Sequence, residues 1–101
     1  MEKIITEFEF DANGWFDILL NKLNVGKRIR VETPTRKTFI RIASCNRVTI
    51  GDGKITDSQG GEIPPANASN RQTADDIFAL RAKYGNGKDI TAYIIKFVET
   101  K

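Results

Sequence analysis

Hydrophobic and polar positions alternate along the first segment, KIITEFEF from Lys3 to Phe10: Ile4, Thr6, Phe8 and Phe10 fall on one side, Lys3, Glu7 and Glu9 on the other. Ile5 is the exception. A period of two is the pattern of a half-buried strand. Asp11-Ala12-Asn13-Gly14 then breaks the strand and supplies helix caps. Trp15, Phe16, Leu19, Leu20 and Leu23 follow at helical spacings, widened by Ile18, with Asp17, Asn21 and Lys22 opposite. This spacing predicts an amphipathic helix with the Trp15 ring in the core, stopped at Asn24-Val25-Gly26.

Strand patterning returns in KRIRVE and TFIRIAS, joined by a turn at Thr33-Pro34-Thr35. Ile29 and Val31 on the first arm, and Ile40 and Ile42 on the second, are expected to face the core. Arg28, Arg30, Phe39 and Arg41 then share the outer face. The opposite register would bury Arg41 without a visible partner, which costs several kcal/mol. A second hairpin is expected over residues 47–57, with Val48 and Ile50 opposite Ile55 and Gly51-Asp52-Gly53-Lys54 at its tip. The tip lacks the spacing and following helix of a phosphate loop and reads as a plain turn.

Residues 58–72, SQGGEIPPANASNRQ, carry Gly60-Gly61 and Pro64-Pro65 and are expected to form a long irregular loop. Thr73 begins a second helix with a Thr-x-x-Asp capping box ending at Asp76; Ile77, Leu80 and Tyr84 form its stripe, Phe78 flanks it, and Gly85-Asn86-Gly87 stops it. In the last segment, DITAYIIKFVE, Ile90, Ala92, Ile94 and Val98 fall on one side and Tyr93, Ile95 and Phe97 on the other. Such a strand needs cover on both faces.

The order of elements predicts a single α+β domain over residues 1–101. Two helices would lie on one face of an antiparallel sheet, in a ferredoxin-like βαββαβ order with an inserted hairpin and loop.

Composition narrows the chemistry. The chain has 101 residues, no His and one Cys, which excludes His-based triads and an internal disulfide. Cys45 is expected to be a buried, inert thiol. Capping accounts for Asp75 and Asp76, and no nucleophile–base pair, metal cluster or cofactor motif stands out; the expectation is a non-enzymatic protein without metal or cofactor. No apolar run spans a membrane, and the acids in the first seven residues do not suit a signal peptide, so a cytoplasmic protein is expected.

Charge adds the one functional lead. Between Gly26 and Arg47 lie seven basic side chains (Lys27, Arg28, Arg30, Arg36, Lys37, Arg41, Arg47) against one acid, Glu32. Cations for phosphates beside Phe39 for stacking predict a face for nucleic acid, single-stranded and read with little sequence specificity, with Tyr93 and Lys54 as additional contacts. The layout is similar to that of an RNA-recognition motif, but RKTFIRI lacks the Gly-aromatic-Gly-aromatic core of that family's signature strand. Two other readings stand beside it. The cations can serve only to keep a sheet edge soluble. Alternatively, the chain is a protein-interaction module, such as an inhibitor or adaptor encoded by a phage or mobile element, docking on a nucleic-acid-handling protein. Homodimerisation through the last strand is compatible with either positive reading.

Overall fold

The alternation of KRIRVE and TFIRIAS closes as a hairpin in the computed structural model, which describes residues 3–5, 16–69 and 72–100. The chain runs β1 (Lys3–Ile5), β2 (Phe16–Leu19), β3 (Arg28–Glu32), β4 (Lys37–Ile50), β5 (Ile55–Asp57), β6 (Glu62–Ile63), α1 (Pro65–Ala68), α2 (Ala74–Gly85) and β7 (Ile90–Thr100). β3 and β4 pair with Arg28 opposite Arg41, Ile29 opposite Ile40 and Arg30 opposite Phe39. At the turn, the Thr33 N–H and Oγ1 donate to the Arg36 carbonyl, at 2.8 and 3.2 Å.

The two expected hairpins share one strand. β4 runs 14 residues without a break, and its whole length from Phe39 to Ile50 pairs with β7. Its other edge is divided: β3 takes the beginning and β5 the end. β1 adds to β3 in parallel, β6 adds to β5, and β2 adds to the far edge of β7. The result is an α+β fold with a mostly antiparallel sheet and two helices.

One extra residue in β4 decides where the core goes. Ile42 lies opposite Phe97 and Ser44 opposite Lys96, so Ala43 has no counterpart on β7. This is a β-bulge. Ile40, Ile42, Val48 and Ile50 all occupy even positions and would share a face in a regular strand. The bulge reverses the alternation. Ile40 and Ile42 pack with Ile29, Val31, Ile95 and Phe97, joined by Leu19, Leu23, Cys45 and Tyr93. Val48 and Ile50 pack on the opposite face with Ile18, Ile55, Ala68, Ile77 and Ala92. β7 serves both clusters by plain alternation, so its first half is covered on both faces, whereas Val98, expected on a covered side, is 41% exposed. α1 and α2 both bring their buried residue, Ala68 and Ile77, to the second cluster. The two helices therefore lie on one face.

Several expectations change. The helix expected to follow Asp11–Gly14 is not formed where the chain is described: Phe16–Leu19 is a strand paired with Lys96–Tyr93. Six apolar residues in nine satisfy either period, and pairing with a strand more than 70 residues away overrides the local preference. The ferredoxin-like order is therefore not confirmed, and the strand order differs from it. Trp15 and the proposed caps lie outside the described residues. Asp17, expected on the polar side of that helix, is only 2% exposed. Its Oδ1 accepts from the Ile18 N–H at 3.0 Å and the Ser69 hydroxyl at 3.3 Å, the partners a buried carboxylate requires.

The expected irregular loop contains two short regular elements, β6 and α1. β6 pairs with β5, and Pro65 starts the single turn of α1, where its missing N–H costs nothing. Asp57 braces the turn before β6: its Oδ1 accepts from the N–H groups of Gln59 at 2.9 Å and Gly61 at 2.8 Å, while Gly60 takes a φ of 86°. α2 forms as predicted. Thr73 Oγ1 accepts from the Asp76 N–H at 3.2 Å, Asp76 Oδ2 accepts from the Thr73 N–H at 3.0 Å, and Asn86 ends the helix at φ 53°. Tyr84, placed in the apolar stripe by its spacing, is instead 55% exposed, with the Lys83 ammonium 5.2 Å from its ring centroid. No helix among the described residues is long and apolar enough to cross a membrane.

Candidate nucleic-acid interface

Alternation and register place a continuous surface across three strands. β3 contributes Arg28, Arg30 and Glu32, β4 contributes Lys37, Phe39 and Arg41, and β7 contributes Lys96, Val98 and Thr100. These residues share the helix-bearing face but lie at its opposite end. Strands about 4.8 Å apart, rising about 3.3 Å per residue, make this a patch of roughly 10 by 13 Å. It carries five cations against Glu32.

Several of its side chains are held in place. The Arg28 guanidinium lies over the Phe39 ring, 3.9 Å from its centroid, a cation–π contact that keeps both planes stacked. Arg41 Nη1 donates to the Gly26 carbonyl at 2.6 Å. Arg30 Nη2 lies 3.6 Å from Glu32 Oε1, a half-exposed ion pair of small worth. Lys37 and Lys96 make no ion pair within the described part of the chain. Val98, 41% exposed, is the apolar residue between Lys96 and the Phe39 row.

The structure thus brings together five of the expected residues, Arg28, Arg30, Lys37, Phe39 and Arg41, and separates the others. Lys27 precedes β3, and its carbonyl accepts from the Ile42 N–H at 3.0 Å. Arg36 sits at the hairpin turn, with its N–H donating to Thr33 Oγ1 at 3.1 Å. Arg47 lies opposite Tyr93. The bulge turns Arg47 to the other face of the sheet, where Tyr93 stands by the plain alternation of β7 and packs against the first core cluster. Lys54 is at the tip of the second hairpin, where its carbonyl accepts from the Gly51 N–H. Gly51 is ten residues along from Arg41, about 30 Å at strand rise, so Lys54 belongs to a different end of the molecule.

Sequence reading missed Lys96 and Val98. Their parity within β7 was visible, but only the register of β7 on β4 sets that parity beside Phe39 and Arg41. It also missed a groove beside α1 and the β5–β6 turn. The groove is about 470 Å³ and is lined by Asn46, Arg47, Asp57, Ser58, Asn67 and Ile94. A neighbouring recess of about 240 Å³ shares Asn46, Asn67 and Ile94 and extends to Ser44 and Lys96.

No group of three or more His, Cys, Asp or Glu side chains with metal-binding geometry occurs among the described residues. Cys45 is half-buried against the first core cluster. Compared with family models, with curated proteins and with solved structures, the chain gives no significant match.

Proposed function

We propose that this protein is a non-enzymatic binding module whose three-stranded basic face holds single-stranded nucleic acid by its phosphates, with little sequence specificity. The observation that carries the reading is the stacked pair of Arg28 and Phe39 among Arg30, Lys37, Arg41 and Lys96 on one exposed surface. One guanidinium face rests on the ring, and Arg28 itself is exposed, so its other face offers a ready plane for a base. The surrounding cations supply the non-specific attraction to the backbone. The flat patch is too small for a long duplex track but spans the backbone of a few nucleotides.

The salt dependence follows from the charge count. If all five cations neutralise a phosphate, log K falls with log salt at a slope of about −3.5 for a single strand. Fluorescence anisotropy with a labelled single strand, titrated across salt concentrations, tests this. Replacing Arg28, Arg30 and Arg41 together by Ala is expected to flatten the slope by about 2 and to remove most of the affinity at low salt. Arg28 and Arg41 are exposed and Arg30 is half-buried, so the denaturation midpoint should change little. No binding by the wild-type protein at low salt, or unchanged binding by the triple variant, refutes the proposal. A protein captured through the same three arginines, with no effect of nucleic acid, would instead establish a docking module.

A further inference from the structure

We propose that the groove beside the basic face is a pocket for an unpaired nucleobase of the strand whose phosphates that face holds; the inference rests on the nucleic-acid reading above. Several polar side chains around the helix-bearing face are used internally. Asp57 receives two main-chain N–H groups, Asp17 receives Ile18 and Ser69, and Gln72 brackets the main chain of Ile18. Asn46 and Asn67 differ. Both line the groove and its recess, both are exposed, and neither carboxamide has a hydrogen-bond partner among the described residues.

A carboxamide offers two donors and an acceptor on a flat group, the complement of a base edge that alternates donors and acceptors. Asn46 and Asn67 approach from different elements, β4 and α1, and Ile94 lies opposite Asn46 on the neighbouring strand. The site therefore combines an apolar surface for the flat side of a base with polar groups for its edge. A volume of about 470 Å³ is in the range of small-molecule pockets and accommodates a base with its sugar.

Charge fixes which part of the nucleotide enters. Lys96 lines the recess and belongs to the basic face, whereas the groove is lined by Asp57 together with Arg47. A phosphate is attracted to the Lys96 end, while Asp57 and Arg47 offset one another at the other end. The backbone accordingly stays on the strands while the base turns inward, past Ser44 and over Ile94. Splaying a base out in this way is available to a single strand and costs a duplex its pairing and stacking.

The test compares a short mixed-sequence single strand with an abasic strand of the same length and charge. Each is titrated by anisotropy against the wild-type protein and an Asn46→Ala/Asn67→Ala variant. The wild type is expected to prefer the strand with bases by about tenfold or more, the effect of one well-held base. The variant is expected to lose most of that preference while keeping its affinity for the abasic strand and its salt slope. Asn46→Asp/Asn67→Asp, nearly isosteric, repeats the measurement if the alanine variant folds poorly, and should also lose the preference. Equal binding of both strands by the wild type overturns the pocket together with base stacking on Arg28 and leaves only the phosphate contacts of the basic face standing; a variant that keeps the full preference overturns the pocket alone. Failure of the wild type to bind either strand overturns both.

Discussion

Deleting Ala43 should be tolerated, although it removes a residue from the middle of the longest strand. Ala43 is exposed and has no partner on β7, whereas Ile42 and Ser44 already face consecutive residues, Phe97 and Lys96. Without Ala43 the strand becomes regular, and every side chain on either side keeps its face and its partner on β7. No buried side chain is lost, and the expected change is within about 1 kcal/mol, the range of surface substitutions. Deletion of Thr49 is the contrasting case. The missing residue must be absorbed either by moving Ile50 out of the second core cluster or by closing the bulge and turning Val48 out of it; Ile50 is 0% exposed. Withdrawing such a side chain costs about 1.5–3 kcal/mol in burial, rising to about 2–5 kcal/mol with the cavity left behind. Against a total stability of about 5–15 kcal/mol for a typical domain, that is a large fraction. Urea denaturation of the wild type and the two deletions reads the difference directly. If both deletions cost the same, or if loss of Ala43 costs more than about 2 kcal/mol, the bulge is not what divides the two cores.

Two further substitutions test local packing. A Cβ at Gly85 would come within 2.5 Å of Ile90 Cγ2, so Gly85→Ala should destabilise by about 1–3 kcal/mol, read as a lower urea midpoint with an unchanged slope. Thr73→Ala removes the acceptor for the Asp76 N–H and should cost about 1 kcal/mol, measured the same way; Thr73→Ser should recover most of it.

The first hairpin and α2 were legible because their signals are local. Alternation around a proline turn sets Arg28, Arg30, Phe39 and Arg41 on one face, and Thr73 and Asp76 cap each other three residues apart. What the sequence hid depends on distant partners. Residues 15–23 carry enough apolar side chains for a helix or a strand, and only pairing with β7 decides. The continuity of β4 was obscured at Cys45 and Asn46, which fall between the two expected hairpins. The bulge compounded this, because four isoleucine and valine residues at even positions suggest a single buried face. The candidate site divides in the same way. Its arginines and Phe39 come from one hairpin, whereas Lys96, Val98 and the Asn46–Asn67 groove exist only once β7 and α1 are set against β4.

The contact between Gln72 and β2 bears on how this molecule remains separate from its copies. On the side of β2 away from β7, the Gln72 carboxamide accepts from the Ile18 N–H at 3.1 Å and donates to the Ile18 carbonyl at 3.4 Å. A side chain thus occupies the two main-chain groups that a strand from another molecule would use to extend the sheet. It forms a stopper one residue long, and an edge of four residues that pairs with no other strand among the described residues is thereby interrupted at its third position. Strand-by-strand aggregation along this edge is discouraged, with the Asp17 carboxylate sharing the Ile18 N–H.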